Sequence, residues 1–306
     1  MFGTVLTHEV KRIARSVDAV YGDSDQQRYV LGSCTPSSKK LNQLQLLDAN
    51  LSVLQTYAHA NPVQHLAMCP LPKMAHHVLT TFVSERNEPS FAVWDMDNVE
   101  SPPSTSPGAV SQLGLLAHVT TDSAIVRAIW NPTEDGNSAT IASLNATSIS
   151  TWTLADGGKE VAKLGLGEGH NQLNAIAWDP HHRQQVSATV DESIVTWDVR
   201  SGKYVAFHRP YNRFHDQLVL SSSSDSSVNL WRVSSISSAP LLDESTDAGG
   251  IDIGDAKIST HDGDHEDSVY AVAWGSQDSW VYVSLSYDGR VVLNTVPSTE
   301  KYRILL

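Results

Sequence analysis

Cysteine is nearly absent from this 306-residue chain: only Cys34 and Cys69 occur, and their separation matches no metal-ligand spacing. Two thiols make no disulfide framework for a chain this long, which points to a reducing compartment and a cytoplasmic protein. Long apolar runs are missing as well. No stretch approaches the roughly 18 apolar residues of a membrane span, and the N-terminal segment has no apolar core followed by a small-residue cleavage site. Basic residues are scarce, with 21 Lys and Arg against 34 Asp and Glu for a formal charge of −13. That balance repels a phosphate backbone or an anionic leaflet, so neither nucleic acid nor direct membrane insertion is expected. Helical periodicity is almost wholly lacking. Yet 41% apolar and 18% charged residues describe a folded chain, not a disordered one.

What is there is a repeat. Three segments read as strands that end in tryptophan: Ile125-Val-Arg-Ala-Ile-Trp130, Leu173-Asn-Ala-Ile-Ala-Trp178 and Val269-Tyr-Ala-Val-Ala-Trp274. Apolar residues alternate with small or polar ones, the period of a strand, and Pro132 and Pro180 stop the ladder after two of them. Downstream, each unit has a strand of small residues, a tight turn and a strand closing on Trp. In two units the turn residues Asp191 and Asp225 precede Trp197 and Trp231 by the same six positions. Aspartate at such a turn accepts hydrogen bonds from backbone amides two residues on. Trp94 and Trp152 close two further units, Leu46-Leu47-Asp48 a degenerate first one and Val291-Val-Leu-Asn294 the last. Short strands at near-regular spacing predict an all-β chain, a β-propeller of WD type with about six repeat units. A buried hydrogen-bonded set is expected within the blades: His170, Ser187, Asp191 and Trp197 in one, Asp225 and Trp231 in the next, and His265, Ser284 and Asp288 in the last, where Asn294 replaces Trp. In the third unit Ala146 stands where the turn aspartate belongs.

No catalytic constellation emerges, so no enzyme, cofactor or small-molecule substrate is expected. The run Gly165-Leu-Gly-Glu-Gly-His170 lacks the context of a phosphate loop, because a strand follows it where a helix N-terminus is needed and no Gly-Lys-Ser/Thr ending occurs. His261, Asp262, Asp264 and His265 are metal-ligand types, but His265 already has a place in the repeat. The doublets His76-His77 and His181-His182 read as loop residues, because neighbours on a strand point apart. Ser221 to Ser224 read as a blade strand in preference to a phosphorylation site.

Several strings resemble one WD family, the EARP and GARP complex-interacting proteins (TSSC-one-like). They are His215-Asp-Gln-Leu-Val-Leu220, Ser223-Ser-Asp225-Ser, His265-Glu-Asp-Ser-Val-Tyr-Ala-Val272, Ser284-Leu-Ser-Tyr-Asp-Gly-Arg290 and the terminal Lys301-Tyr-Arg-Ile-Leu-Leu306. The likeness covers nearly the whole chain, strongly from Asn212 onward and weakly before Gly22. It implies a seven-bladed, non-catalytic scaffold that associates with EARP and GARP tethering complexes. Recruitment would be peripheral, at endosomes and the trans-Golgi network, in endosomal recycling and retrograde transport. A rival reading is a substrate receptor of a cullin-type ubiquitin ligase, since Trp197-Asp198-Val199-Arg200 has the form such receptors use and marks Arg200 as a candidate contact.

One interval is short. Trp152 to Trp197 spans 45 residues, ample for a blade, whereas Trp197 to Trp231 spans 34 and contains no strand ending in an aromatic. Part of a blade is therefore expected to be missing near residues 200–215, through the loss of an exon or a faulty gene model, the alternative being a genuine six-bladed relative. An unpaired strand edge is the expected consequence. The whole chain, 1–306, reads as one propeller, with a Pro/Ser-rich loop at 101–107 and an acidic insertion between blades at 241–267. Partner-facing turns are expected on one face, near His170, Arg200, Asp225 and His265.

Overall fold

The computed structural model describes residues 6–10, 13–22, 25–35, 41–97, 110–132, 139–154, 157–165, 173–179, 182–190, 193–201, 203–204, 215, 217–234, 242–243, 251–252 and 254–305. The predicted loop at 101–107 and the residues His170 and Asp191 lie outside them.

The chain is a six-bladed propeller of antiparallel sheets. Strand β1 (Leu6–Glu9) is set aside at the start. The first blade is β2 (Ala14–Ala19), β3 (Tyr29–Ser33), β4 (Asn42–Leu47) and β5 (Val53–His59). The second is β6 (His65–Met68), β7 (His77–Val83), β8 (Pro89–Asp95) and β10 (Gly114–Thr120), while the short β9 (Val110–Ser111) runs parallel to β5. The third is β11 (Arg127–Trp130), β12 (Thr140–Leu144), β13 (Ser148–Thr153) and β14 (Lys159–Gly165). The fourth is β15 (Leu173–Trp178), β16 (Gln185–Val190), β17 (Ser193–Asp198) and β18 (Lys203–Tyr204). The fifth has three described strands, β19 (Leu218–Ser222), β20 (Val228–Arg232) and, after the small hairpin β21 (Leu242–Asp243) and β22 (Ile251–Asp252), β23 (Ala256–His261). The sixth is β24 (Val269–Trp274), β25 (Val281–Ser286) and β26 (Arg290–Thr295), and helix α1 (Ser298–Leu305) follows.

β1 completes the sixth blade, with Leu6 opposite Leu293 and Glu9 opposite Arg290. This joins the N-terminus to the last repeat and closes the ring by backbone hydrogen bonds, the device by which a propeller protects its terminal edge.

In the first four blades and the sixth, the middle strands are sandwiched between neighbouring blades and largely buried on both faces, whereas β19 and β20 of the fifth are partly half-buried. β7 illustrates it: Val78, Leu79, Thr80, Thr81 and Phe82 are all buried in succession. At this depth strict alternation gives way to a continuous run of β-branched and apolar residues. Apolar clusters fill the interfaces. Tyr29 and Leu31 meet Val283 and Leu293 between the first and last blades, and Val30 and Leu44 meet Leu66 and Val78 between the first and second. Leu79 and Phe91 meet Trp130 and Trp152, and Leu144 and Ile149 meet Trp178 and Val186. Leu218 and Leu230 meet Val269 and Tyr282 between the fifth and sixth. Among the described residues no such cluster joins the fourth blade to the fifth.

That seam is where the sequence interval is short. The three inner strands closing on Trp130, Trp178 and Trp274 are β11, β15 and β24, the first starting at Arg127 and not at Ile125, and no described strand precedes β19 in its sheet. The stretch 241–267 needs one correction. Ala256–His261 pairs with β20, Val228 opposite His261, because its alternating Ile258 and Ser259 suit a blade's outer strand better than a solvated loop.

Candidate functional site

In an antiparallel meander successive turns fall at opposite ends of the sheet. The turns after β12 and β25, holding Asn145 and Asp288, share one face with the segments that lead into each inner strand, such as the one holding His265; the β19–β20 turn holding Asp225 joins them, its Ser223 and Ser224 carbonyls accepting from the Val269 amide and the Ser268 hydroxyl. The β17–β18 turn, holding Arg200, opens on the other face. Arg200 therefore does not share a face with Asp225 and His265, which corrects the single-face expectation; that reading followed sequence order and ignored turn parity. Arg200 is largely exposed and folds back on its own turn, Nη2 lying 3.2 Å from Asp198 Oδ2 while Asp198 Oδ1 accepts the amides of Arg200 and Ser201. The Arg200 hydrogen bond, followed by the Ser201 amide, holds the Asp198 carboxyl below its usual range.

The repeat network is built differently in each blade. In the sixth, His265 Nε2 is 2.7 Å from Ser284 Oγ, both side chains buried. Asp288 accepts the amides of Glu266 and Arg290 at 2.8 and 2.7 Å, tying the β25–β26 turn to the segment before β24. Burial pulls the Asp288 carboxyl up, but hydrogen bonds from Ser286 and those two amides outweigh it and the net shift is down. Burial likewise lowers the His265 imidazole, against the pull of Asp288 and Asp264. A serine, an imidazole and a carboxylate in one blade suggest a hydrolytic triad, but the geometry argues otherwise. Ser284 is 0% and His265 4% exposed, so no substrate reaches the hydroxyl, and His265 Nδ1 has no hydrogen-bond partner to orient it.

In the fifth blade Trp231 Nε1 donates to Ser221 Oγ at 2.8 Å, and Asp225 Oδ1 accepts from the amide and hydroxyl of Ser227. The Ser227 hydroxyl is the main reason that the Asp225 carboxyl titrates low. In the fourth, Ser187 Oγ lies 2.7 Å from Thr196 Oγ1 beside the buried Trp197. In the third, Trp152 Nε1 donates to Ser143 Oγ, and Asn145 performs the turn role one position before Ala146, its Oδ1 accepting the amides of Thr147 and Ser148.

The second blade holds a set that the sequence did not disclose. His59 Nε2 is 3.1 Å from Thr80 Oγ1, which accepts the Trp94 indole N–H at 2.8 Å, and His59 Nδ1 faces the Asn61 carbonyl at 2.6 Å. Burial pushes the His59 imidazole down to about 4. His59 stands 35 residues before Trp94, whereas His170 stands 27 before Trp197. Only a search tolerant of a longer first turn finds it, and Pro72–Met74, a 3₁₀ turn between β6 and β7, is the extra length.

Also in this blade, His76 and His77 approach one another edge to face, ring centroids 4.5 Å apart, with Asp95 beside them. A cavity of about 410 Å³ opens here between the first two blades, lined by Arg28, Tyr57, Met68, His76, Met96 and Asp97 among others. No helix among the described residues is long and apolar enough to cross a membrane.

The description "EIPR1 beta-propeller" fits residues 4–209, and a "WD domain, G-beta repeat" fits residues 257–293. The first match stops inside the short interval. Among relatives, the "EARP-interacting protein homolog" of Danio rerio is 31% identical over 96% of each chain, and the "EARP and GARP complex-interacting protein 1" of Homo sapiens 30% over 96% of each. The "WD repeat-containing protein DWA2" of Arabidopsis thaliana is 26% identical over 94% of this chain and 95% of its own. The Danio alignment runs 384 positions against the 306 residues available here, so the relative carries segments without a counterpart. A WD repeat occupies about 40–45 residues, and the shortfall exceeds one of them. On the extent of the first match and on these identities, the chain belongs to the EIPR1 beta-propeller family.

Proposed function

We propose that this propeller is a non-catalytic scaffold that binds subunits of the EARP and GARP tethering complexes, and that it serves endosomal recycling and endosome-to-Golgi retrograde transport. The observation that carries the reading is the likeness to relatives named for that interaction, extending over 96% of this chain. The architecture agrees with it. The polar networks of the blades are buried and fix turn geometry, leaving the loops of two flat faces as the surface for partners. In this reading Arg200 is a contact on one face, while His170, Ser187, Asp191, Trp197, Asp225, Trp231, His265, Ser284 and Asp288 hold the repeats in shape. The protein is cytoplasmic and reaches trans-Golgi and endosomal membranes through the tether, without inserting.

The test is an affinity pull-down of the tagged chain from cytosol, beside a version carrying a complete fifth blade, scored by mass spectrometry. Tether subunits with both versions support the assignment, and tether subunits with the completed version alone make the added segment part of the interface. Ubiquitin-ligase adaptors in place of tether subunits would turn the assignment to a substrate receptor acting through Trp197-Asp198-Val199-Arg200.

A further inference from the structure

We propose that His76, His77 and Asp95 form a binding site for one divalent cation of the zinc class, at the loop end of the second blade. Their ligand atoms, one from each residue, all lie within 4.8 Å of one another.

The placement follows from the strands. His77 opens β7 and Asp95 closes β8, and the two are direct cross-strand partners. Such partners project from the same face of a sheet with their Cβ atoms about 5 Å apart. His76 belongs to the preceding turn, not the pleat, and so escapes the rule that neighbours on a strand point apart. Its carbonyl accepts the Met96 amide at 3.0 Å, which pins the turn to the end of β8. Its ring then stands at 83° to that of His77, with Nε2 3.7 Å from Asp95 Oδ1. Gly22 fixes the same turn from the first blade: a Cβ there would meet that of Ala75 at 2.6 Å, so only glycine lets the turn seat this deeply.

Two imidazoles and a carboxylate suit zinc and its first-row neighbours, whereas magnesium and calcium prefer oxygen alone. Zinc bonds of about 2.0–2.2 Å hold tetrahedral ligand atoms roughly 3.4 Å apart, so a cluster within 4.8 Å needs to contract by up to about 1.4 Å at its widest. His77 Nδ1 is buried without a hydrogen-bond partner, a desolvated lone pair that a cation would satisfy. Asp97 Oδ2 lies 3.7 Å from His76 Nδ1, the ring nitrogen other than the one beside Asp95, where a carboxylate orients a ligating histidine from outside the coordination sphere. A bound cation would clamp the β6–β7 turn to the end of β8 at the mouth of the cavity between blades.

Isothermal titration of the chelator-stripped full chain with zinc chloride tests this, together with His77→Ala, Asp95→Asn and the more exposed His76→Ala. His182→Ala is the control, because His182 sits 3.2 Å from Asp179 and is a histidine–carboxylate pair elsewhere on the surface. The expected result is one zinc per chain, at least tenfold weaker binding in each of the three variants, and no change in the control. Circular dichroism checks folding, and cobalt absorption of the tetrahedral type, lost in His76→Ala, gives a second readout. No binding, or binding that responds only to His182→Ala, overturns the proposal.

Discussion

The Arg232 guanidinium donates from Nη1 to both carboxylate oxygens of Glu300, at 2.8 and 3.0 Å, with both side chains almost fully buried. The pair joins the end of β20 in the fifth blade to helix α1 after the sixth. Arg303 adds a further bond to Glu300 at 3.0 Å, and Lys301 lies over the ring of Trp280. The helix thus braces the one blade that has only three described strands.

Removing one partner leaves a buried charge uncompensated, which costs more than the pair itself contributes. Arg232→Met is expected to lower stability by about 3 kcal/mol, the low end of such losses because Arg303 still bonds Glu300. Exchanging both partners for apolar residues should cost less than the single change. Urea unfolding of the three variants measures the difference; a double variant worse than Arg232→Met contradicts it.

Thr80→Val removes the hydroxyl shared by His59 and Trp94 while keeping the shape. Two buried polar nitrogens lose their partner, so a loss of about 2 kcal/mol or more is expected. Ser284→Ala strands His265 alone and should cost less, about 1–2 kcal/mol. Equal and negligible losses in both would show the networks to be idle.

The two kinds of buried titrating group oppose each other in acid. Asp18, which accepts the Met68 amide at 2.9 Å, is raised by burial to about 6, so its ionised form disfavours the fold and its contribution improves as pH falls from above 6 toward 3.8. His59 and His65 are lowered by burial to about 4 and about 3, so the stability they contribute is present above 6.5 and is lost as pH falls below it. Two histidines outweigh one aspartate, and net destabilisation between pH 6.5 and 4 is expected. Asp18→Asn should steepen that loss, because it deletes the compensating term. A shallower profile in the variant, from unfolding curves taken across this range, would reverse the sign.

Among the described residues β19 pairs on one side, with β20, Leu220 opposite Leu230, while β25 is paired on both sides, with β24 and β26. Hydrogen exchange over Leu218–Ser222 should therefore be faster, by at least tenfold, than over Val281–Ser286. Equal protection would mean that another segment covers the β19 edge.

Much of the fold was legible because propeller repeats print their strands as tryptophan-terminated units: Trp130, Trp178 and Trp274 end inner strands, Trp94, Trp152 and Trp197 lie on third strands, and Trp231 lies on β20. Counting from Trp197 to Trp231 also singled out the interval across which no apolar cluster joins the fourth blade to the fifth among the described residues. What stayed hidden depended on turns, not strands. Asn145 took over from Ala146, and the 3₁₀ turn at Pro72–Met74 moved His59 out of the expected spacing and brought His76 against His77. The facing of Arg200 needed the parity of the turns, which no single motif encodes.

Direct binding of the purified chain to purified EARP and GARP complexes, followed by surface plasmon resonance, tests the central claim. The account predicts saturable binding that a longer family member competes away at the same site. Absence of binding by this chain to either complex, where the longer relative binds under the same conditions, would contradict it.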